Sequence, residues 1–147
     1  MGFCFLLADD DTSYRHLLKK MLIEDVKFID SPELLDARDG AEALTLFEKN
    51  LGYIDLIFSD LNMPGMSGLE LLREVRARDP RTPFILLSGQ PNKKSIIAAR
   101  DAGVTAIIVK PFSPAELRAK LEAAIASTGI IVFRDSKTKI SANEQTK

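Results

Sequence analysis

Acidic, hydroxyl and amine side chains stand at the ends of four hydrophobic runs in this chain. Phe5-Leu6-Leu7-Ala8 leads into Asp9-Asp10-Asp11, and Ile54-Asp55-Leu56-Ile57-Phe58-Ser59 leads into Asp60. Phe84-Ile85-Leu86-Leu87 ends in Ser88, and Thr105-Ala106-Ile107-Ile108-Val109 ends in Lys110. Short apolar runs that separate helical stretches read as buried parallel strands. An open parallel sheet binds ligands at the carboxyl ends of its strands, so these polar ends are expected to converge on one site. Clustered carboxylates repel one another unless a cation joins them, and a hard divalent ion such as Mg²⁺ prefers oxygen ligands. A lysine and a serine hydroxyl beside such a cluster suit the oxygens of a phosphoryl group. The chemistry implied is phosphoryl transfer.

The elements that must position these residues alternate along the chain, which argues for βα units around a parallel sheet. Tyr14, Leu17, Leu18, Met21 and Leu22 mark the first helix, with Asp11 or Thr12 as its cap. The second strand is assigned to Leu34-Leu35-Asp36-Ala37, with Val26-Lys27-Phe28-Ile29 as competitor and a long connection expected here. Ala43, Leu44, Phe47 and Leu51 mark the second helix, closed by Asn50 or Gly52. Leu69, Leu72 and Val75 mark the third, entered through Pro64-Gly65-Met66-Ser67-Gly68. Ile96, Ile97, Ala99 and Arg100 mark a shorter fourth helix that ends near Gly103. Ser113-Pro114-Ala115-Glu116 is a capping box with proline at the first helical position, and Leu117, Leu121, Ala124 and Ile125 follow on one face.

At 147 residues the chain fits one domain, and 46% hydrophobic with 28% charged residues is an ordinary globular composition. A formal net charge of -1 leaves no basic footprint for nucleic acid. The single cysteine, Cys4, excludes an internal disulfide and reads as a small core residue. No apolar stretch reaches membrane-spanning length, and the first residues lack a basic region and cleavage site, so a cytoplasmic location is expected. His16 has no partner histidine or cysteine for a metal and reads as a solvated helix residue. Residues 1–127 are read as the domain and 128–147 as a tail, which docks a few apolar residues or adds a short strand or hairpin.

In order and spacing these parts resemble the receiver domain of bacterial two-component response regulators, over roughly residues 3–127. That resemblance implies an α/β fold with a doubly wound, five-stranded parallel sheet of the flavodoxin-like (βα)5 type. The family's metal-binding acidic pair matches Asp9 and Asp10, and its phospho-accepting aspartate before a Met-Pro-Gly loop matches Asp60 in Ser59-Asp60-Leu61-Asn62-Met63-Pro64-Gly65. Its strand-end Thr or Ser matches Ser88, and its Lys-Pro matches Lys110-Pro111, followed by Phe112. By this resemblance Mg²⁺ is held by Asp10 and Asp60, through water by Asp9, and by the backbone carbonyl of Asn62. Asp60 acts as the nucleophile, Lys110 supplies positive charge, Ser88 bonds the attached phosphoryl group, and Gly89 leaves room for a small donor or water. The implied partners are a histidine kinase or phosphotransfer protein and a downstream protein. The downstream protein is expected to bind the face of the fourth helix, fifth strand and fifth helix, including Lys93, Lys94, Arg100, Ile107, Arg118 and Lys120.

Plainer readings exist for each residue alone: Asp60 as a turn aspartate, Asp9 and Asp10 as helix-capping acids, Lys110 and Ser88 as loop residues. Two rivals address them jointly. Asp9-Asp10-Asp11-Thr12 approaches the Asp-x-Asp-x-Thr of haloacid dehalogenase phosphatases, but only scattered acids follow Lys110 and the Asp60 loop is left without a role. A degenerate receiver, used as a constitutive binding module, is the other. Many receivers carry an aromatic residue three positions before the lysine that swings inward on activation; Ile107 stands there instead.

Overall fold

The computed structural model describes residues 2–28, 30–126, 132–134 and 139–141. From the first run onward strand and helix alternate: β1 (Cys4–Ala8), α1 (Thr12–Lys20), β2 (Glu33–Ala37), α2 (Gly40–Lys49), β3 (Leu56–Asp60), α3 (Gly68–Arg78), β4 (Phe84–Ser88), α4 (Lys93–Asp101), β5 (Ala106–Val109) and α5 (Pro114–Ile125). The strands form one five-stranded sheet in the order β2-β1-β3-β4-β5. Every pairing in it is parallel. The order reverses direction between β1 and β3, and the crevice at such a reversal is where this class of sheet receives ligands.

Burial follows from strand position. All residues of β1, β3 and β4 are buried, because helices cover both faces of the sheet. Alternate side chains feed two cores. Phe5, Leu7, Phe58, Ile85 and Leu87 pack with Leu18, Leu22, Leu117 and Leu121 on the α1/α5 side. Leu6, Ile57 and Leu86 pack with Phe47, Leu71, Leu72, Val75 and Ala99 on the other. Cys4 lies 2% exposed in the second core, and burial pushes its thiol up to about 11.

The long connection before β2 has a physical basis. The first helix widens into a π-helical turn over Met21–Asp25, with the Val26 amide donating to the Met21 carbonyl. Val26 and Phe28 then drop into the core on either side of Lys27, whose φ is 65°. The competing segment 26–29 is therefore part of the connection and β2 is Glu33–Ala37; Ile29 lies outside the described residues. Two leucines depart from their expected faces. Leu17 is 43% exposed, on the flank of the stripe made by Tyr14, Leu18, Met21 and Leu22. Leu51 is 57% exposed, because α2 is already capped at Asn50 and helical periodicity no longer applies. In the tail, Val132–Arg134 pairs antiparallel with Lys139–Ser141 in a separate two-stranded sheet. The other tail residues and the side chain of Ile125 lie outside the described set.

Candidate phosphoryl-acceptor site

Each polar strand end is fixed by backbone bonds before its side chain is considered. Asp9 continues the ladder beyond β1, its amide donating to the Ala37 carbonyl at 3.1 Å. Its Oδ1 accepts from the Asp11 amide at 2.9 Å, and Asp11 in turn caps α1 by accepting from the Tyr14 amide at 3.2 Å. Asp60 is the last residue of β3, and the next amide, Leu61, donates to the Leu87 carbonyl of β4 at 2.8 Å. The Lys110 amide donates to the Ser88 carbonyl at 2.8 Å, which holds the end of β5 against the end of β4.

The side chains converge across the reversal of strand order. Lys110 Nζ lies 2.8 Å from Asp60 Oδ1 and 3.2 Å from Asp9 Oδ2. One carboxylate oxygen from each of Asp9, Asp10 and Asp60 falls within 4.8 Å of the others. Asp9 and Asp60 are buried, whereas Asp10 is exposed. Ser88 is 1% exposed, and its Oγ is a buried hydroxyl with no hydrogen-bond partner among the described residues. A β-carbon added at Gly89 would meet no atom within 4 Å, so the chain after Ser88 leaves open space. Asn62 stands exposed in the loop beyond Asp60, outside the ion-pair network around Lys110.

Electrostatics match this geometry. Burial raises the Asp60 carboxyl above the ordinary carboxylate value, helped by the charges of Asp9 and Asp10 and opposed by Lys110. Burial alone would lower the Lys110 ammonium, but Asp60 and Asp9 outweigh it and its value is raised. An all-oxygen, anionic donor set with an unpartnered hydroxyl close by fits a hard divalent cation and the oxygens of a phosphoryl group.

Two neighbours of the cluster were not singled out from the sequence. Lys110 Nζ sits 3.9 Å from the centroid of the Tyr14 ring, and an Arg15 guanidinium nitrogen donates to the Asp9 carbonyl. Both lie in the first turn of a helix that starts directly after the acidic run, which is the only sequence signal that pointed to them. His16, on the same turn, is exposed.

The receiver-domain model of response regulators matches residues 5–122. The chain belongs to the response regulator receiver domain family. It is 37% identical over 119 residues to chemotaxis protein CheY-3 of Vibrio cholerae, a match covering 80% of this chain and 87% of that one. The identity to chemotaxis protein CheY of Pseudomonas aeruginosa is also 37%, covering 80% and 91%. Among solved structures, CheY4 of Vibrio cholerae superposes with a TM-score of 0.75 at 30% identity, covering 84% of this chain and 99% of that one. A response regulator receiver domain protein from Clostridium thermocellum gives 0.77 at 28% identity, covering 86% and 96%. The five-stranded sheet with five helices is thus the flavodoxin-like receiver fold. Receivers of this kind are signalling proteins whose state depends on phosphorylation. Among the described residues no helix is long and apolar enough to cross a membrane.

Proposed function

We propose that this receiver accepts a phosphoryl group on Asp60 from a histidine kinase or histidine phosphotransfer protein in the cytoplasm, and that the modified state changes its partner-binding face. The observation that carries this reading is the ion pair of Lys110 with Asp60 at 2.8 Å beside two further carboxylates. In the transfer, an Asp60 carboxylate oxygen bonds to phosphorus while the P–N bond to the donor histidine breaks, its electron pair leaving with the imidazole nitrogen. Asp9, Asp10 and Asp60, with the Asn62 backbone carbonyl, are the residues that would hold Mg²⁺. Bound there, Mg²⁺ supplies neutralisation of charge on the phosphoryl oxygens. Lys110 supplies a fixed positive charge beside Asp60, and the Ser88 hydroxyl gains a phosphoryl oxygen as its partner. Chemistry of this kind is catalysed by the receiver upon itself, both in gaining and in losing the group.

The responding face is α4, β5 and α5. Ile96, Ile97 and Val109 are exposed there, flanked by Lys93, Lys94 and Arg100. Ile107, Ile108, Val109, Glu116, Ala119 and Lys120 line a groove of about 270 Å³ between β5 and α5. Arg118 is half-buried and paired with Glu122 one helical turn on, at 3.4 Å. A downstream protein binding this face senses Asp60 through Ser88 and the start of α4. Amide exchange with and without beryllofluoride and Mg²⁺ tests the switch: altered protection across residues 92–102 is expected. Unchanged protection there would favour the constitutive binding module, a reading supported by Ile107, which carries no aromatic ring.

A further inference from the structure

Among the described residues the Lys110 ammonium meets two carboxylates and one aromatic ring. Asp60 Oδ1 lies at 2.8 Å and Asp9 Oδ2 at 3.2 Å, while the remaining contact is the face of the Tyr14 ring, 3.9 Å from Nζ to the centroid. That distance is well within cation–π range, and the half-buried setting strengthens the attraction. The ring is held from both ends. Its backbone amide is fixed by the Asp11 cap at 3.2 Å, and its edge meets Phe112 in a T-shaped contact with centroids 6.0 Å apart. The segment that delivers Asp9 therefore also delivers Tyr14, and the segment that delivers Lys110 also delivers Phe112. The Tyr14 hydroxyl is buried without a hydrogen-bond partner among the described residues, and the contact with Lys110 is made by the ring.

We propose that Tyr14 is a positioning residue for phosphoryl transfer, its ring face holding the Lys110 ammonium beside Asp60; this rests on Asp60 being the acceptor. A lysine tip is a mobile point charge on a flexible stem. Its two carboxylate partners are the same groups that a divalent cation and a phosphoryl group engage, and the negative charge at Asp60 moves outward onto the phosphoryl oxygens once it carries the group. The ring is a partner that neither competes for, and it keeps the ammonium in place as the carboxylates are taken up.

The test uses the whole chain and three proteins: wild type, Tyr14→Leu and Tyr14→Phe. The Lys110 side-chain methylene protons, assigned by their loss in Lys110→Arg, are followed by NMR, and Asp60 phosphorylation by acetyl phosphate with Mg²⁺ is timed by intact mass. Upfield ring-current shifts are expected in wild type and Tyr14→Phe and ordinary positions in Tyr14→Leu. Phosphorylation is expected to slow about threefold to thirtyfold in Tyr14→Leu, the range set by cation–π strength, and to recover in Tyr14→Phe. Unshifted Lys110 protons in wild type, or a Tyr14→Leu protein that labels at the wild-type rate, overturns the proposal. A ring shift in wild type without any label on Asp60 overturns the acceptor reading instead.

Discussion

Gly68 opens α3 directly against the carbonyl of Asp60. A β-carbon at position 68 has no room, blocked by that oxygen and by the Leu61 α-carbon, and the Gly68 amide donates to the Leu61 carbonyl at 2.8 Å. The acceptor strand and the third helix are thus packed backbone to backbone, and Gly65, with φ 75°, lets the loop between them turn back. Gly68→Ala must displace either Asp60 or α3. It is expected to cost about 1–3 kcal/mol in urea denaturation and to slow labelling of Asp60, because the acceptor moves from Lys110. A variant with wild-type stability and rate would show that the close approach does not set the acceptor's position.

Mg²⁺ should stabilise the fold. Asp9, Asp10 and Asp60 are held together, with Lys110 paired to Asp9 and Asp60, and a cation that binds only the folded state adds stability by mass action, about 2.7 kcal/mol at a hundredfold excess over Kd. Thermal unfolding followed through a Mg²⁺ titration is expected to shift upward in wild type and much less in Asp10→Ala. Equal shifts in the two proteins would place the cation elsewhere.

The raised Asp60 value gives a pH dependence with a definite sign. A carboxyl raised in the folded state holds its proton more tightly there than in the unfolded chain, so between the ordinary carboxylate value and the raised one stability falls as pH rises. In the absence of divalent cations, Asp60→Asn should therefore be more stable than wild type at neutral pH. The gap should close on acidification through that window. Asp55, raised by burial, contributes a slope of the same sign to both proteins and cancels in the comparison. A wild type more stable than Asp60→Asn at neutral pH would mean that the Lys110 pair outweighs the cost of burying Asp60.

Ser88→Ala separates labelling from switching. The buried hydroxyl has no partner to lose, so stability should change by less than about 1 kcal/mol. Asp60 should still take a phosphoryl group, while the change in amide exchange across residues 92–102 should be largely lost, because a ligand shifts an equilibrium only through its differential contacts with the two states. An undiminished change at α4 in the variant would mean that Ser88 does not carry the signal.

The central strands, and the polar residues that converge at their ends, were legible in the sequence for one reason. Strands buried on both faces are continuous apolar runs, and a polar residue at the end of such a run stands out, as Asp9, Asp60 and Ser88 do; Lys110 follows the apolar run of the edge strand β5, which is only partly buried. The edge strand β2 was harder, since Glu33 and Asp36 face solvent and Val26 and Phe28 imitate a strand while filling the core beneath the first helix. Tyr14 looked like one more apolar position on α1, and sequence spacing alone does not say that Lys110, far along the chain, ends above its ring. Ile107 was visible as a departure from the family's aromatic residue; the structure adds that it is half-buried against the core on the α4 side.

The most direct measurement is the intact mass of the protein, followed by peptide mapping, after incubation with acetyl phosphate and Mg²⁺. One added phosphate on the peptide carrying Asp60 is expected, with none after chelation and none in Asp60→Asn. Undiminished labelling of Asp60→Asn, or label found on Asp9, would contradict the assignment of Asp60 as the acceptor.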